Sequence, residues 1–277
     1  MLPAVAVIVG IIYIGIGYAI FTSLLRWDGI TPSPPFIGSK NYVRALHDPV
    51  FWAALEHTFV FAVVTISFQM VLGFAIAALL RTKVYGGGIV RTVIFIPVVL
   101  SSAVIGTTFR QVLAVDGPFN QILSDLHLGG LAQAWLADPH LVMYTIAAIN
   151  VFQYTGYSFV VFDAALSQID PEILEAARVD GAGTVRTLRS IVIPMLTGTV
   201  LVLTTLGVIG ALKTFDIVFL TTNGGPGYSS QMLTTLIYKQ AIDQFNVGYA
   251  SALSVLLVLI SAVFAVVQIR AMQRRRR

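Results

Sequence analysis

The sequence contains no cysteine in its 277 residues, and only 11% of those residues are charged. The missing cysteine excludes a disulfide framework, a thiol nucleophile and a cysteine-ligated metal site. Charge is scarce because 57% of the residues are hydrophobic, whereas soluble domains contain roughly 45–50% apolar and about 25% charged residues. These proportions indicate an integral membrane protein.

Sequence signatures of catalysis are also missing. There is no GxxxxGK(S/T) phosphate-binding loop. The nearest candidate, "VYGGGIVRT", has the glycines of that motif but not its lysine. No HExxH or similar metal-binding spacing occurs, and the four histidines lie in or beside predicted outer loops, at His47, His57, His127 and His140. We therefore predict no catalytic residue, no bound metal and no cofactor in this chain.

Six runs of the sequence are long and apolar enough to cross a membrane, because a hydrocarbon core about 30 Å thick needs roughly 20 apolar residues in a helix. The predicted transmembrane helices cover about residues 3–25, 57–80, 89–109, 141–165, 194–215 and 246–269. The first run lacks the basic start and cleavage site of a signal peptide, so we expect a retained helix preceded by a short cytoplasmic tail. The predicted fold is all-α, with residues 1–277 in one transmembrane domain.

Basic residues predict which loops face the cytoplasm. If both termini are cytoplasmic, the following basic residues also lie on the cytoplasmic side: Arg81, Lys83, Arg91, Arg178, Arg186, Arg189, Arg270 and the terminal run Arg274, Arg275, Arg276 and Arg277. The segment 116–140 has three aspartates and no lysine or arginine, which is typical of an outer loop. Because the other cations are scattered singly, no nucleic-acid-binding surface is predicted.

The predicted outer loops contain clusters of proline and glycine. "WDGITPSPPFIGSK" and "TTNGGPGYSS" are rich in turn residues, and "DPVFW" begins a short interfacial segment. These loops are lids, docking edges or simple connectors.

A compact polar insert separates the fourth and fifth runs. Asp170, Pro171 and Glu172 form a helix start: a capping oxygen, a proline at the first position and an acid in the first turn. Gly181 and Gly183 predict the end of this short helix, because glycine adopts the left-handed conformation that closes helices. A second piece from Thr184 to Ser190 leads to Pro194. We call residues 170–190 the elbow, and the predicted orientation places it in the cytoplasm.

The helical period divides the first piece of the elbow into two faces. Ile173, Ala176 and Ala177 share one side, and Glu175 and Arg178, with Glu172 less fully, lie toward the other. Small residues flanked by charge suit docking into a protein cleft. A solvated connector fits the same spacing.

The elbow resembles the EAA loop of ABC importer permeases. The matching residues are Glu175-Ala176-Ala177, then Gly181 after three residues, then Ile191-Val192-Ile193-Pro194 after nine, with Ile193 in place of leucine. The resemblance covers nearly the whole chain and narrows to the carbohydrate-type permeases, the maltose-type first subunit in particular. Its other marks are "FIGSKNYVRAL", "DPVFWAALEHT", "LGFAIAALL", "IFIPVVLSSAVIG", "TNGGPG" and "FNVGYASALSVLLVLI".

This resemblance implies a permease subunit of an ATP-driven importer for a sugar or sugar-like solute, in a bacterial or archaeal plasma membrane. Its partners would be a second, homologous permease forming a heterodimer, two cytoplasmic ATPase subunits that hold ATP and magnesium, and an extracytoplasmic solute-binding protein. That protein would dock on outer loops including 32–42 and 223–228. The residues expected to couple to the ATPase are Asp170, Glu172, Glu175, Ala176, Ala177, Arg178, Asp180, Gly181 and Gly183.

Two helical faces could line a solute path, because hydrogen-bonding side chains are costly in lipid unless they face a cavity. On the fourth run these are Asn150, Tyr154 and Tyr157, with Ser158 beside them; on the fifth they are Gly207, Gly210, Ala211 and Thr214. These positions match those that line the sugar site in the maltose-type permease. Tyr157 matches an aromatic residue there, whereas Gly207, Gly210 and Ala211 replace larger or polar groups. Helix packing is the alternative for all of them.

Charges at the edges of the spans leave a second function open. Asp163, Lys213 and Asp216 could serve proton coupling in a secondary transporter or channel that works without ATP. We prefer a structural role, since Lys213 and Asp216 are three residues apart on one predicted helix and could pair locally. A membrane scaffold whose elbow recruits a cytosolic protein is a third possibility.

Overall fold

The computed structural model describes residues 2–81 and 87–275, and the side chains of residues 7–81 and 87–270. Lys83, Arg276 and Arg277 lie outside the described residues. Within them the regular secondary structure is helical, apart from an isolated antiparallel bridge between Leu25 and Phe36. The helices are α1 (Leu2–Ser23), α2 (Lys40–His47), α3 (Pro49–Leu80), α4 (Gly87–Val99), α5 (Ser102–Val112), α6 (Pro118–Asp125), α7 (Val142–Ser167), α8 (Pro171–Val179), α9 (Thr184–Thr187), α10 (Ile193–Met195), α11 (Thr197–Lys213), α12 (Asp216–Thr222), α13 (Leu233–Tyr238) and α14 (Val247–Arg275).

The described chain forms two compact units whose borders fall within α3, α7 and α11. The first unit contains α1, α2 and α12 to α14, and its core consists of Ala45, Phe51, Ala54, Leu233, Leu236, Tyr249 and Leu253. The second unit contains α4 to α6 and α8 to α10, and its core consists of Ala77, Phe159, Phe162, Leu166, Ile169, Val192, Leu196 and Leu203. Both cores are built almost wholly from apolar side chains that the helical period brings to one face.

Large apolar side chains are exposed along the helices. Ile11 and Ile14 of α1 are 71% and 73% exposed, and Val263 and Val267 of α14 are exposed on the helix that packs against α1. An apolar surface of this extent is unfavourable in water and is the expected surface of a protein in lipid.

The structure confirms the all-α fold but does not confirm six membrane-spanning helices. Among the described residues, two helices, Pro49–Leu80 and Val247–Arg270, are long and apolar enough to cross a membrane, and up to four are if each bent helix pair counts as one span. The predicted third span is broken between α4 and α5 with a bend of 95°, and the predicted fifth is bent by 61° before α11.

The break in the third predicted span is caused by residues beside it and is stabilised by a hydrogen bond from another helix. Pro97 in α4 has no N–H to donate to the preceding turn, and the Ser101 hydroxyl accepts a hydrogen bond from Val104 N at 3.3 Å, so α5 starts anew. The Leu100 carbonyl, which lies at the break, accepts a hydrogen bond from Gln153 Nε2 of α7 at 3.1 Å. Gln153 is 1% exposed, so this amide supplies a partner that water cannot.

The break before α11 changes the expected end of the elbow. The second piece was predicted to stop at Ser190, but a π-helical segment at Leu188–Val192 continues the helix through α10 to Met195. Pro194 therefore lies inside the helical run, and the chain turns at Leu196 instead. Pro194 has no N–H for the carbonyl of the turn before it, which weakens the helix close to the bend.

We predict that Gln153→Leu destabilises the protein. The leucine fills about the same space but cannot donate to the Leu100 carbonyl, and the lost hydrogen bond costs about 0.5–1.5 kcal/mol. The measurement is the thermal unfolding midpoint in mild detergent. Val160→Leu is the control, because Val160 lies on the same helix and is 42% exposed. Equal midpoints for both variants would show that Gln153 does not support the break.

Candidate functional site

The elbow begins as the sequence predicted. Asp170 has extended backbone angles, and its carboxylate accepts a hydrogen bond from Glu172 N at 2.9 Å, while Pro171 occupies the first helical position. Glu172 lies in the first turn of α8, where the helix dipole favours a negative charge. Local side-chain chemistry therefore fixes where this short helix starts.

The end of α8 is a Schellman motif centred on Gly181. Gly181 N donates to the Arg178 carbonyl at 3.0 Å and Ala182 N donates to the Ala177 carbonyl at 2.9 Å. Gly181 has φ of +75°, in the left-handed region that favours glycine. Gly183 differs from its prediction: its φ is −68°, and it precedes α9 as an N-cap instead of closing α8.

The structure also corrects the two faces of α8. The inward side of α8 consists of Leu174, which packs against the second unit's core, and Ala177, which is only 6% exposed. Ile173 and Ala176 were expected to share the face of Ala177, but Ile173 is 39% exposed and Ala176 is exposed as well. A nine-residue helix contains too few turns for the helical period alone to show which of the two alanines is buried.

The exposed face of the elbow combines charge with two unexpected apolar side chains. Glu172, Glu175, Arg178 and Asp180 are all exposed. Val179 is 87% exposed and Val185 is 77% exposed, although neither was predicted to belong to the site. Each is a β-branched apolar residue beside a turn, and this is the signal in the sequence that could have flagged it.

An arginine fixes the chain just before the elbow. The Arg81 guanidinium, at the end of α3, donates to the carbonyl of Leu166 and to the hydroxyl of Ser167, the latter at 3.1 Å. These two residues form the last turn of α7, whose free carbonyls attract a cation. The elbow thus starts from a helix end that is tied to a second helix.

The predicted path residues of α7 are mostly engaged in packing within the second unit. The Asn150 side-chain carbonyl accepts from Gln69 Nε2 at 3.0 Å, and Asn150 is 8% exposed. Ser158 is 4% exposed, and Gly73 of α3 lies so close that a Cβ added there would come within 2.7 Å of Ser158 Cβ. These contacts favour helix packing for Asn150 and Ser158.

The two tyrosines of this face differ from each other. The Tyr154 hydroxyl lies 3.3 Å from the Ser102 hydroxyl, next to the break between α4 and α5. Tyr157 is 39% exposed and is therefore the member of the α7 set with its ring most open to a solute.

The predicted path residues of α11 also divide. A Cβ added at Gly207 would come within 2.7 Å of the Ile66 side chain, so this glycine permits close approach of α3. A Cβ at Gly210 would meet nothing within 4 Å, whereas Ala211 is 4% exposed. In the first unit, the Thr214 carbonyl accepts a hydrogen bond from the Thr234 hydroxyl.

The edge charges are resolved in part. Asp163 Oδ2 lies 2.8 Å from Arg91 Nη1, which gives this carboxylate the structural role that we preferred. The expectation that Lys213 and Asp216 share a helix is wrong, because α11 ends at Lys213 and α12 begins at Asp216. Each charge instead lies at the helix end that its sign favours. Over the described ranges, no group of three or more His, Cys, Asp or Glu side chains is arranged to hold a metal.

Comparison with known families identifies the family of proteins to which this chain belongs. The profile of the family described as "Binding-protein-dependent transport system inner membrane component" matches residues 69–277. The chain belongs to this family. It is therefore a membrane component of a binding-protein-dependent transporter and not an enzyme, which confirms the family resemblance inferred from the EAA pattern.

Curated relatives of the chain are permeases. The probable ABC transporter permease protein YurN of Bacillus subtilis (strain 168) is 34% identical over 262 residues, which cover 94% of this chain and 90% of that protein. The lactose transport system permease protein LacF of Rhizobium radiobacter is 34% identical over 245 residues, which cover 87% of this chain and 82% of that protein. The similarity extends through the region that precedes the family match.

Solved structures show the same fold. A chain of a bacterial ABC transporter involved in the import of the acidic polysaccharide alginate superimposes with a TM-score of 0.82 at 21% identity, covering 99% of this chain and 93% of that one. A second structure of the bacterial alginate transporter, in complex with an alginate pentasaccharide-bound periplasmic protein, gives a TM-score of 0.76 at 22% identity, covering 86% of this chain and 83% of that one. The chain therefore has the same overall fold as these transporter chains.

Two glycines of the elbow give a matched test of its geometry. Serine at position 181 would have to adopt φ of +75°, at a cost of about 1–2 kcal/mol, whereas serine at position 183 is a favoured N-cap. We predict that Gly181→Ser speeds amide hydrogen exchange in residues 177–183 by about five- to thirtyfold and that Gly183→Ser does not. Equal exchange in the two variants would contradict the role of the left-handed glycine.

Proposed function

We propose that this chain is a permease subunit of an ATP-driven ABC importer for a sugar or sugar-like solute. The solute class is supported by the similarity to the lactose permease LacF and by the fold shared with the alginate importer. The observation that carries the mechanism is the elbow. It is a helix closed at both ends, with Leu174 packed on the core and Ala177 buried, and its outer face presents Glu175 and Val179. Its partners, orientation and path follow from that assignment.

In this proposal the elbow docks into a cleft of a cytoplasmic ATPase. Val179 and Val185 provide the apolar surface that a protein cleft can bury, and Glu175 provides a charge that faces a basic group at its rim. Two such ATPase subunits bind ATP and magnesium. A second, homologous permease completes the pore, and ATPase closure turns the pair from inward- to outward-facing.

The orientation proposed has both termini and the elbow in the cytoplasm, and six membrane passes. The bent pairs count as single passes, because a helix may break inside the membrane where protein groups replace the lost backbone partners. α1 and α7 supply the remaining two. The solute-binding protein then docks on outer loops that include residues 32–42 and 223–228, and residues 1–277 act as one permease domain.

Within the proposed path, the open members of the two predicted sets are Tyr157 and Gly210. The Tyr157 ring offers the flat apolar face that a sugar ring stacks on, and Gly210 leaves space beside α11. Asn150, Ser158 and Gly207 support the path by holding α7 and α11 against α3.

The rival function, a secondary transporter without ATP, requires a carboxylate that titrates during transport. Asp163 was the candidate, and its ion pair with Arg91 gives it a structural partner instead. The contact disfavours that rival, and the family membership supports the importer.

We predict that Glu175→Lys abolishes solute uptake and the copurification of the ATPase, while the chain still reaches the membrane. Gly181→Pro should have the same effect, because proline cannot adopt φ of +75°. Asp125→Lys is the control, since it makes the same charge change at an exposed residue of α6. Normal uptake by both elbow variants would exclude the elbow from coupling.

We predict that Tyr157→Ala raises the KM for uptake about two- to tenfold, the loss expected from about 0.5–1.5 kcal/mol of ring stacking. Tyr157→Phe should keep most of the affinity because the ring remains. Tyr144→Ala is the control, since Tyr144 is 58% exposed on the same helix. A KM that is unchanged in Tyr157→Ala would remove Tyr157 from the path.

A further inference from the structure

A cavity of about 510 Å³ lies in the first unit, beyond the ends of two apolar helices. Its walls are the segment 24–39, which we call the strap, together with α2 and the residues that open α14. Its lining residues follow the end of α1 or lie at the start of α14, where Tyr249 belongs to the first turn of the helix. In the orientation proposed above, the end of α1 and the start of α14 lie on the outer side of the membrane, so the cavity would face a soluble partner there.

The strap is held as a fixed wall by backbone hydrogen bonds. Arg26 N donates to the Pro35 carbonyl at 3.0 Å, and Ile37 N donates to the Leu24 carbonyl at 2.9 Å. The buried Asn41 amide of α2 donates to the carbonyls of both Ser23 and Leu25, at 2.8 and 2.9 Å. A loop with this many internal partners keeps its shape when a ligand group enters, which lowers the entropic cost of binding.

The cavity lining carries an excess of positive charge. Arg26, Lys40 and Arg44 line it with a single carboxylate, that of Asp28, so three positive charges and one negative charge leave a net charge of +2. Among the described residues none of the three cations forms an ion pair. The carboxylate is already occupied, since it accepts from Thr31 N at 2.8 Å, from Ile30 N at 2.9 Å and from the Thr31 hydroxyl at 2.7 Å.

The Asp28 carboxylate offsets one of the three positive charges, and its oxygens accept hydrogen bonds from its own loop. Hydrogen bonds from Thr31 and Ile30 lower the pKa of Asp28 to about 2, so it stays ionised and bound to its own loop. Arg44 lies with its guanidinium carbon 4.1 Å from the centre of the Tyr249 ring, and the Tyr249 hydroxyl donates to Asp48 at 2.8 Å. Stacking fixes the direction of Arg44 and leaves guanidinium donors for a ligand.

We propose that this cavity binds an aspartate or glutamate side chain presented by the solute-binding protein. The inference rests on the proposed function, which supplies that partner and places the strap outside the cell. A carboxylate fits the charge of the cavity, and paired guanidinium and ammonium donors fix its position. The contact would set the register in which the binding protein docks and would speed its association.

Lys40 allows a direct test by chemical cross-linking. A carbodiimide joins an ammonium group to a carboxylate that touches it, so the purified transporter with its loaded binding protein should give an adduct between Lys40 and an acidic residue of that protein. Mass spectrometry of the peptides identifies the pair. Lys40→Arg keeps the charge but cannot form the amide, so its adduct should disappear while stimulation of ATP hydrolysis by the binding protein remains.

Charge reversal supplies the second readout. Lys40→Glu and Arg26→Glu should each reduce the stimulation of ATP hydrolysis by the binding protein about tenfold at low salt and leave basal hydrolysis unchanged. An unstimulated wild-type complex would overturn the proposed function itself. This inference alone would be overturned if the wild type is stimulated, forms no Lys40 adduct, and both variants are stimulated fully. It would also be overturned if, in nanodiscs, the defect of the variants changes with the content of anionic lipid and not with the concentration of the binding protein.

Discussion

Backbone groups at the breaks of apolar helices need hydrogen-bond partners, and the rest of this structure depends on how they obtain them. Where α4 stops, the Leu100 carbonyl takes its hydrogen bond from the buried Gln153 amide. Where α1 stops, Asn41 serves two carbonyls, and where α7 stops, Arg81 serves another. In each case one side chain from another helix supplies the missing hydrogen-bond partner, so the helices can end or bend at defined positions.

The elbow follows from the same constraint. α7 ends at a turn held by Arg81, Asp170 starts the next helix and Gly181 closes it, so little freedom remains between the helices and the exposed face. A short helix in isolation is marginal in water, and this one is stabilised by the packing of Leu174 against the core and by the burial of Ala177. In the proposed function, a rigid attachment of this kind lets a movement of the elbow shift α7 and α11 instead of being absorbed by a flexible loop.

Sequence reasoning succeeded where the cause lies within a few residues of the effect. The cap at Asp170, the proline beside it and the left-handed Gly181 were all predictable, because their chemistry is local. The Gln153 contact with Leu100 spans 53 positions and depends on the relative placement of α7 and α4, which periodicity does not give. Likewise, whether Ala176 or Ala177 turns inward is decided by the neighbouring core, and the break between Lys213 and Asp216 carries no proline or glycine to reveal it.

The most direct test of this account is cross-linking from the elbow of the assembled transporter. Because the chain has no cysteine, Val179→Cys introduces a unique thiol at a side chain that is 87% exposed. The account predicts that a short reagent with one thiol-reactive and one photoreactive end joins position 179 to a copurifying ATPase. The control is Val115→Cys, at a side chain that is 65% exposed in a predicted outer loop, and it should give no such adduct. An ATPase that copurifies without reacting at position 179, or a chain that purifies with no ATPase, would contradict it.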